Sequence, residues 1–88
     1  MTTQTATVVN ALGLHARAAA RFVKLAARYR SQIKVTRGSR TTDGKSILGL
    51  LLLAAARGSA LTISADGPDE TEAVAALCSL TARGFEDQ

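Results

Sequence analysis

Gly13-Leu14-His15-Ala16-Arg17-Ala18-Ala19-Ala20 is the stretch where an extended segment gives way to a helix, and it carries the only histidine of the chain. Upstream, Gln4 to Val9 is rich in β-branched residues and reads as a strand, while Asn10 and Gly13 supply residues that tolerate tight loop geometry. Downstream, alanines and basic residues recur at helical spacing and predict a helix from about Ala16 to Tyr29. His15 then falls at or beside the N-cap, where outward-pointing backbone N–H groups and the positive end of the helix dipole favour anions, phosphate above all. The rest of the chain reads as a scaffold for this turn.

Along that first helix, Ala19, Ala20, Val23, Ala26 and Ala27 fill one side, with Phe22 and Leu25 nearby. On the opposite side Arg17, Arg21, Lys24 and Arg28 are spaced four, three and four residues apart, so they project in nearly one direction and form a basic stripe that begins at His15. Such a stripe is either a solvated polar face or a docking surface for acidic partners. Gln32 to Arg37 alternates Ile33 and Val35 with Lys34 and Thr36, as a half-exposed strand does. Gly38-Ser39 supplies a turn, and Arg40 to Thr42 forms the return strand of a hairpin.

Asp43-Gly44-Lys45 is a loop, and Ser46 stands directly before an apolar helix, the place for a capping hydroxyl. Ile47 to Ala56 is apolar all round: Leu50, Leu53 and Ala54 fall on one side, Ile47, Leu48, Leu51 and Leu52 on the other. Either neighbouring helices cover both sides, or one side is left as an exposed patch that marks a protein interface. Arg57-Gly58-Ser59 ends this helix, and Ala60 to Ala65 alternates as a fourth strand. After the turn Asp66-Gly67-Pro68, Asp69 and Glu72 have the form of a capping box for a last helix that buries Ala73, Val74, Leu77 and Leu80 and stops at Gly84. The order β-α-β-β-α-β-α, with short connections and half-buried strands, predicts an α+β fold: a two-layer open-faced sandwich with an antiparallel four-stranded sheet and three helices on one face.

At 88 residues the chain is expected to be one domain, residues 1–88, with room for one core and one site. No apolar run reaches the ~20 residues that span a bilayer, and Met1-Thr2-Thr3-Gln4 lacks the features of a signal peptide, so a cytoplasmic protein without membrane insertion is expected. Cys78 is the single cysteine, which excludes an internal disulfide or cysteine-based zinc site; it reads as a small apolar residue of the last helix. With one histidine and no carboxylate cluster, neither a metal nor another cofactor is expected. The net charge of +4 admits nucleic acid, anionic lipid or an acidic protein as partner. Phe22, Tyr29 and Phe85 are the only aromatics, too few for a single-strand binder that stacks bases.

His15 either merely caps its helix or acts as a nucleophile. A neutral imidazole has a lone pair that can accept a phosphoryl group, and the new oxygens would lie within reach of the backbone N–H groups of Ala16 and Arg17 and of the Arg17 guanidinium. A small His-dependent hydrolase would need a second acid or base, and none stands at a recognisable spacing. A nucleic-acid or anionic-surface binding module using the basic helix explains the charge but gives no role to His15, Ser46 or the apolar short helix.

Gly13-Leu14-His15-Ala16-Arg17, then Gly44-Lys45-Ser46-Ile47, then Thr62-Ile63-Ser64-Ala65-Asp66-Gly67 resemble, in order and spacing, the HPr family of histidine phosphocarriers of the bacterial phosphoenolpyruvate-dependent phosphotransferase system. The resemblance implies sheet order 1-4-2-3, His15 as the residue phosphorylated on Nδ1 and Arg17 as its charge partner. It makes enzyme I the donor and IIA-type domains the acceptors, with sugar transport or regulation as the output. It also implies a carrier that is a substrate of its partners rather than an independent catalyst, acting as a monomer and binding no nucleic acid. By the same resemblance Ser46 matches the position modified by a regulatory HPr kinase/phosphorylase in some bacteria, and docking falls to Ala20, Arg21, Lys24, Ile47, Leu48, Leu51 and Leu52. The ending Gly84-Phe85-Glu86-Asp87 resembles carriers of the nitrogen-related regulatory branch. One departure stands beside Arg17: the family's usual proline is here Ala18, a better helix former that restores a backbone donor.

Overall fold

A computed structural model describes residues 1–86. The elements are β1 (Thr2–Thr7), α1 (Ala16–Ala26), β2 (Gln32–Arg37), β3 (Arg40–Asp43), α2 (Ile47–Leu52), β4 (Ala60–Asp66) and α3 (Glu70–Ala82), followed by a 3-10 turn at Gly84–Glu86. The sheet is antiparallel throughout with the order β1-β4-β2-β3, the order implied by the resemblance. Alternation divides it into two faces. Ala6, Ile33, Val35, Leu61, Ile63 and Ala65 point into a core shared with Ala18, Ala19, Phe22 and Ala26 of α1, Leu50 of α2, and Ala73, Val74, Leu77 and Leu80 of α3. The other face carries a row of threonines across all four strands, Thr5, Thr62, Thr36 and Thr41, with hydroxyls meeting at 3.3 Å between Thr5 and Thr62 and 2.9 Å between Thr36 and Thr41. All three helices therefore lie on the apolar face.

Several element ends differ from the sequence expectation, each because a distant partner takes the backbone. β1 covers Thr2–Thr7 rather than Gln4 to Val9. It stops where β4 stops facing it, and Val8 pairs instead with the 58–59 turn, its N–H donating to Ser59 O at 2.9 Å. α1 closes at Ala26 rather than Tyr29: the amides of Arg28 and Tyr29 donate three residues back to Leu25 O and Ala26 O, a tightened last turn. The next two amides, of Arg30 and Ser31, donate to the Asp69 carboxylate at 2.8 and 3.0 Å. The buried stripe of α1 is also rotated from the one read in the sequence, with Ala18 inside and Ala20 and Ala27 exposed.

The capping box proposed for α3 does not form. Asp69 sits at the N-cap but its side chain makes no capping bond; it accepts instead from the Ser31 hydroxyl and the two amides just named. Glu70 takes the role at the helix start, accepting from Gly67 N at 3.3 Å and from the Thr2 hydroxyl at 2.7 Å, with the Met1 amino group 3.0 Å away. Hydrogen bonds from Ser31 hold the Asp69 carboxyl below its ordinary value, and those from Thr2 and the amino terminus bring Glu70 down to about 2. Cys78 is buried on α3, as expected, and burial pushes its thiol up.

α2 is six residues long and ends at Leu52, with Leu53 as its C-cap, not at Ala56. Ala54 turns the chain with a φ of +51°, a left-handed conformation that costs an alanine about 1–2 kcal/mol. Ala54→Gly is accordingly expected to stabilise the fold by about 1 kcal/mol, read as a raised midpoint in urea unfolding. The carboxylates of Asp69 and Glu70 are stabilised in the charged form, so their contribution is complete above the unfolded carboxylate range near 4.5 and is lost as pH falls through the lowered folded values, about 2 for Glu70. Melting temperatures measured from pH 6 down to about pH 2 should fall across that window, and the fall should be shallower in Asp69→Asn.

Candidate phosphoryl-accepting site

The β1–α1 loop is shaped by its own polar groups before His15 enters it. The Asn10 side-chain amide donates to Gly13 O at 2.8 Å and the Gly13 amide to Asn10 O at 3.1 Å, closing a tight turn. Gly13 has φ +67°, and a Cβ there would stand 2.5 Å from Ala55 O. The carbonyl of Ala55 is in fact occupied by the Leu14 amide at 2.9 Å. The loop is thus fastened to the segment that leaves α2, and α1 packs against α2 behind it.

His15 is the N-cap of α1, with extended backbone angles of −87° and −177° and no capping bond from its side chain. Its carbonyl accepts the Ala19 amide at 2.8 Å, which starts the helical ladder. The imidazole is half-buried, with Ala16 and Arg17 exposed beside it in the first turn. That turn is where backbone N–H groups point out of a helix end, and no acidic residue stands in it to compete for them.

The basic stripe separates into two parts. Arg17, Lys24 and Arg28 are exposed. Arg21 is half-buried, its guanidinium donating to Phe85 O at 3.0 Å and Glu86 O at 2.8 Å. Arg21 therefore fastens the C-terminal turn, whose Phe85 is wholly buried, and is not simply a surface charge. The signal for this was weak in the sequence, because carbonyls sixty-odd residues away carry no side-chain signature.

Ser46 caps α2 as expected, its hydroxyl accepting the Gly49 amide at 3.0 Å. The preceding loop is anchored at Lys45, whose ammonium donates to Tyr29 O at 2.8 Å and whose amide donates to Asp43 Oδ1 at 2.9 Å. Beyond the cap, Ile47, Leu48 and Leu52 are exposed, the last two at 67% and 61%, while Leu50 and Leu53 are buried. Leu51, expected with the outer group, is half-buried and packs on the core, and Ala54, expected inside, is exposed past the helix end. The short helix thus runs from Ser46 to the segment that receives the His15 loop, with an apolar face along it. Leu12, 68% exposed in that loop, escaped the sequence reading; its position between Asn10 and Gly13, where no periodic core can claim it, was the available sign. Among the described residues no group of three or more His, Cys, Asp or Glu side chains gathers to hold a metal ion, and no helix is long and apolar enough to cross a membrane.

A family model described as the PTS HPr component phosphorylation site matches residues 2–83. The chain belongs to the HPr family. It is 51% identical over 79 residues to the phosphocarrier protein HPr of Cupriavidus necator, covering 90% of this chain and 89% of that one. The phosphocarrier protein HPr of Pseudomonas aeruginosa is 45% identical over 82 residues, covering 92% and 91%. Among solved structures, HPr-C-His from Thermoanaerobacter tengcongensis superposes with a TM-score of 0.94 at 39% identity, covering 100% of this chain and 99% of that one. The HPr of Bacillus anthracis superposes with a TM-score of 0.87 at 36% identity, covering 91% and 95%. The chain is accordingly an HPr phosphocarrier of the phosphotransferase system.

The cap of α2 generates a test of its own. A Cβ at Gly49 would collide with Thr42 Oγ1 and crowd the Ser46 hydroxyl. Gly49→Ala, which should help an exposed helix by up to about 1 kcal/mol, is expected instead to destabilise the chain by about 1–3 kcal/mol through overpacking, measured by urea unfolding; Thr42→Ala in the same chain should recover part of the loss, because the colliding oxygen is removed.

Proposed function

We propose that His15 accepts a phosphoryl group from phosphorylated enzyme I and passes it to a IIA-type domain. The supporting observation is the placement of His15 at the N-cap of α1, with the amides of Ala16 and Arg17 opening the helix beside it. In the forward step an imidazole lone pair of His15, on Nδ1 by family resemblance, forms a bond to phosphorus in line with the breaking P–N bond of the donor. The electron pair of that bond returns to the donor imidazole. Arg17 and the first-turn amides meet the phosphoryl oxygens as the charge arrives. Positioning of the two rings supplies most of the remaining catalysis, which suits a carrier that is worked on by its partners.

Docking is carried by the apolar face of Ile47, Leu48 and Leu52, with exposed Ala20 and Lys24 on the neighbouring helix. This surface fits a partner with an apolar centre and an acidic rim. Leu51 contributes from its partly buried position, and Arg21 contributes chiefly by holding the C-terminal turn. Ser46 is the regulatory site of the same surface: a phosphate placed there by an HPr kinase/phosphorylase would meet the α2 N-terminus favourably and the acidic rim of a partner unfavourably.

Incubation with phosphoenolpyruvate and enzyme I should give one acid-labile, alkali-stable phosphate per chain. His15→Ala should remove at least 99% of this incorporation, on the order of the loss of a sole nucleophile, while leaving the far-UV circular dichroism and the melting temperature close to those of the parent. Full incorporation into His15→Ala would rule out the carrier site proposed here.

A further inference from the structure

α2 is held at its C-terminal end from outside. It has no basic residue in its last turn, yet Arg37 Nη1 donates to Leu53 O at 3.1 Å and Arg40 Nη1 donates to Leu52 O at 3.0 Å. The two arginines face each other as the last pair of the β2–β3 ladder, on either side of Gly38-Ser39. Like charges directly opposite on a sheet repel. Here both guanidiniums meet the negative end of a helix dipole and carbonyls that lack donors within the helix.

The helix they hold is six residues long, far below the length at which a helix persists unaided. Its orientation is therefore set by what packs against it and what caps it. Leu52 belongs to both systems: its carbonyl receives Arg40, and its side chain is part of the exposed apolar face. The Ser46 cap fixes only the opposite end.

We propose that Arg37 and Arg40 are positioning residues for partner docking, clamping the last turn of α2 so that Leu48 and Leu52 are presented in one orientation. They act through the helix and do not touch the partner. The proposal rests on the reading of α2 as the docking helix. His15 is held by the Ala19 amide on its carbonyl and by the closed Asn10–Gly13 turn, and its loop meets the α2 exit only at Ala55, beyond the carbonyls that the arginines hold, so loss of the clamp should weaken docking far more than it slows transfer inside the docked complex.

The test uses the full chain as the substrate of enzyme I, with initial rates at varied carrier concentration and salt. In Arg37→Met/Arg40→Met the KM should rise about five- to tenfold, the size expected for one or two lost carbonyl hydrogen bonds, with kcat within about twofold and an unchanged dependence of KM on salt. Amide exchange at Leu53 and Ala54 should speed by about tenfold or more, while the amides of Thr36 and Thr41 keep their protection. Arg37→Lys/Arg40→Lys, which retains donors, should return KM to within about twofold of the parent. An unchanged KM in the Met pair overturns the proposal, as does a failure of the Lys pair to rescue. A flattened salt dependence in the Met pair also overturns it, by placing the guanidiniums directly on an acidic partner. If the Met pair does not fold, Arg40→Met alone is judged by the same readouts. A parent chain that takes no phosphate at all refutes the carrier reading instead, and amide exchange alone then decides whether the clamp exists.

Discussion

The hydrogen bond from the Leu14 amide to Ala55 O ties the loop that carries His15 to the segment that leaves α2. It depends on Gly13, which lets the chain pass within 2.5 Å of that carbonyl at the point where a side chain would begin, and it follows directly on Ala54, where the chain turns with a φ of +51°. The seam holds the His15 turn against the exit of α2, in front of the packing of α1 on α2. Two backbone positions in the left-handed region are thus spent on one contact. One is a glycine and free of strain; the other is an alanine and is not.

What the sequence disclosed depended on the distance over which each signal acts. Ser46 was legible because a cap bonds three residues ahead, to Gly49, and the strands were legible because burial alternates residue by residue. Asp69 carried an equally good local signal and it misled: the Ser31 hydroxyl and two amides on the α1–β2 connection, nearly forty positions back, outcompete the helix end for its carboxylate. Arg21 was placed on the basic stripe, but its acceptors, backbone carbonyls of the C-terminal turn, left no local sign. Ile47 to Ala56 could be recognised as apolar all round, yet nothing local marked its end at Leu52, because the arginines that cap it come from the preceding hairpin. His15 and Arg17 were singled out by the motif they form together, whereas Leu12 belonged to no pattern. Asp87, part of the ending that resembles the nitrogen-related branch, lies outside the described residues.

The alanine that follows Arg17 shows how a departure from a family motif is absorbed. Ala18 is fully buried beneath the first turn of α1, next to Ala19. A small side chain fits there as the usual proline would, and helical φ is available to both. The difference is confined to one backbone N–H at a helix start, where a donor has no intrahelical acceptor in any case. The substitution therefore leaves the N-cap position of His15 intact while adding a group of the kind that favours phosphate.

A carrier must part from one partner before it can meet the next, and the threonine row gives the reverse of the sheet a matching property. Its hydroxyls pair across the strands, Thr5 with Thr62 and Thr36 with Thr41, and among the described residues none of the large exposed apolar side chains lies in a strand. Such a wall gives a colliding protein little apolar area to bury. Encounters against it lack a hydrophobic driving force, so the reverse of the sheet is poorly suited to trap a phosphocarrier in idle collisions in a crowded solution.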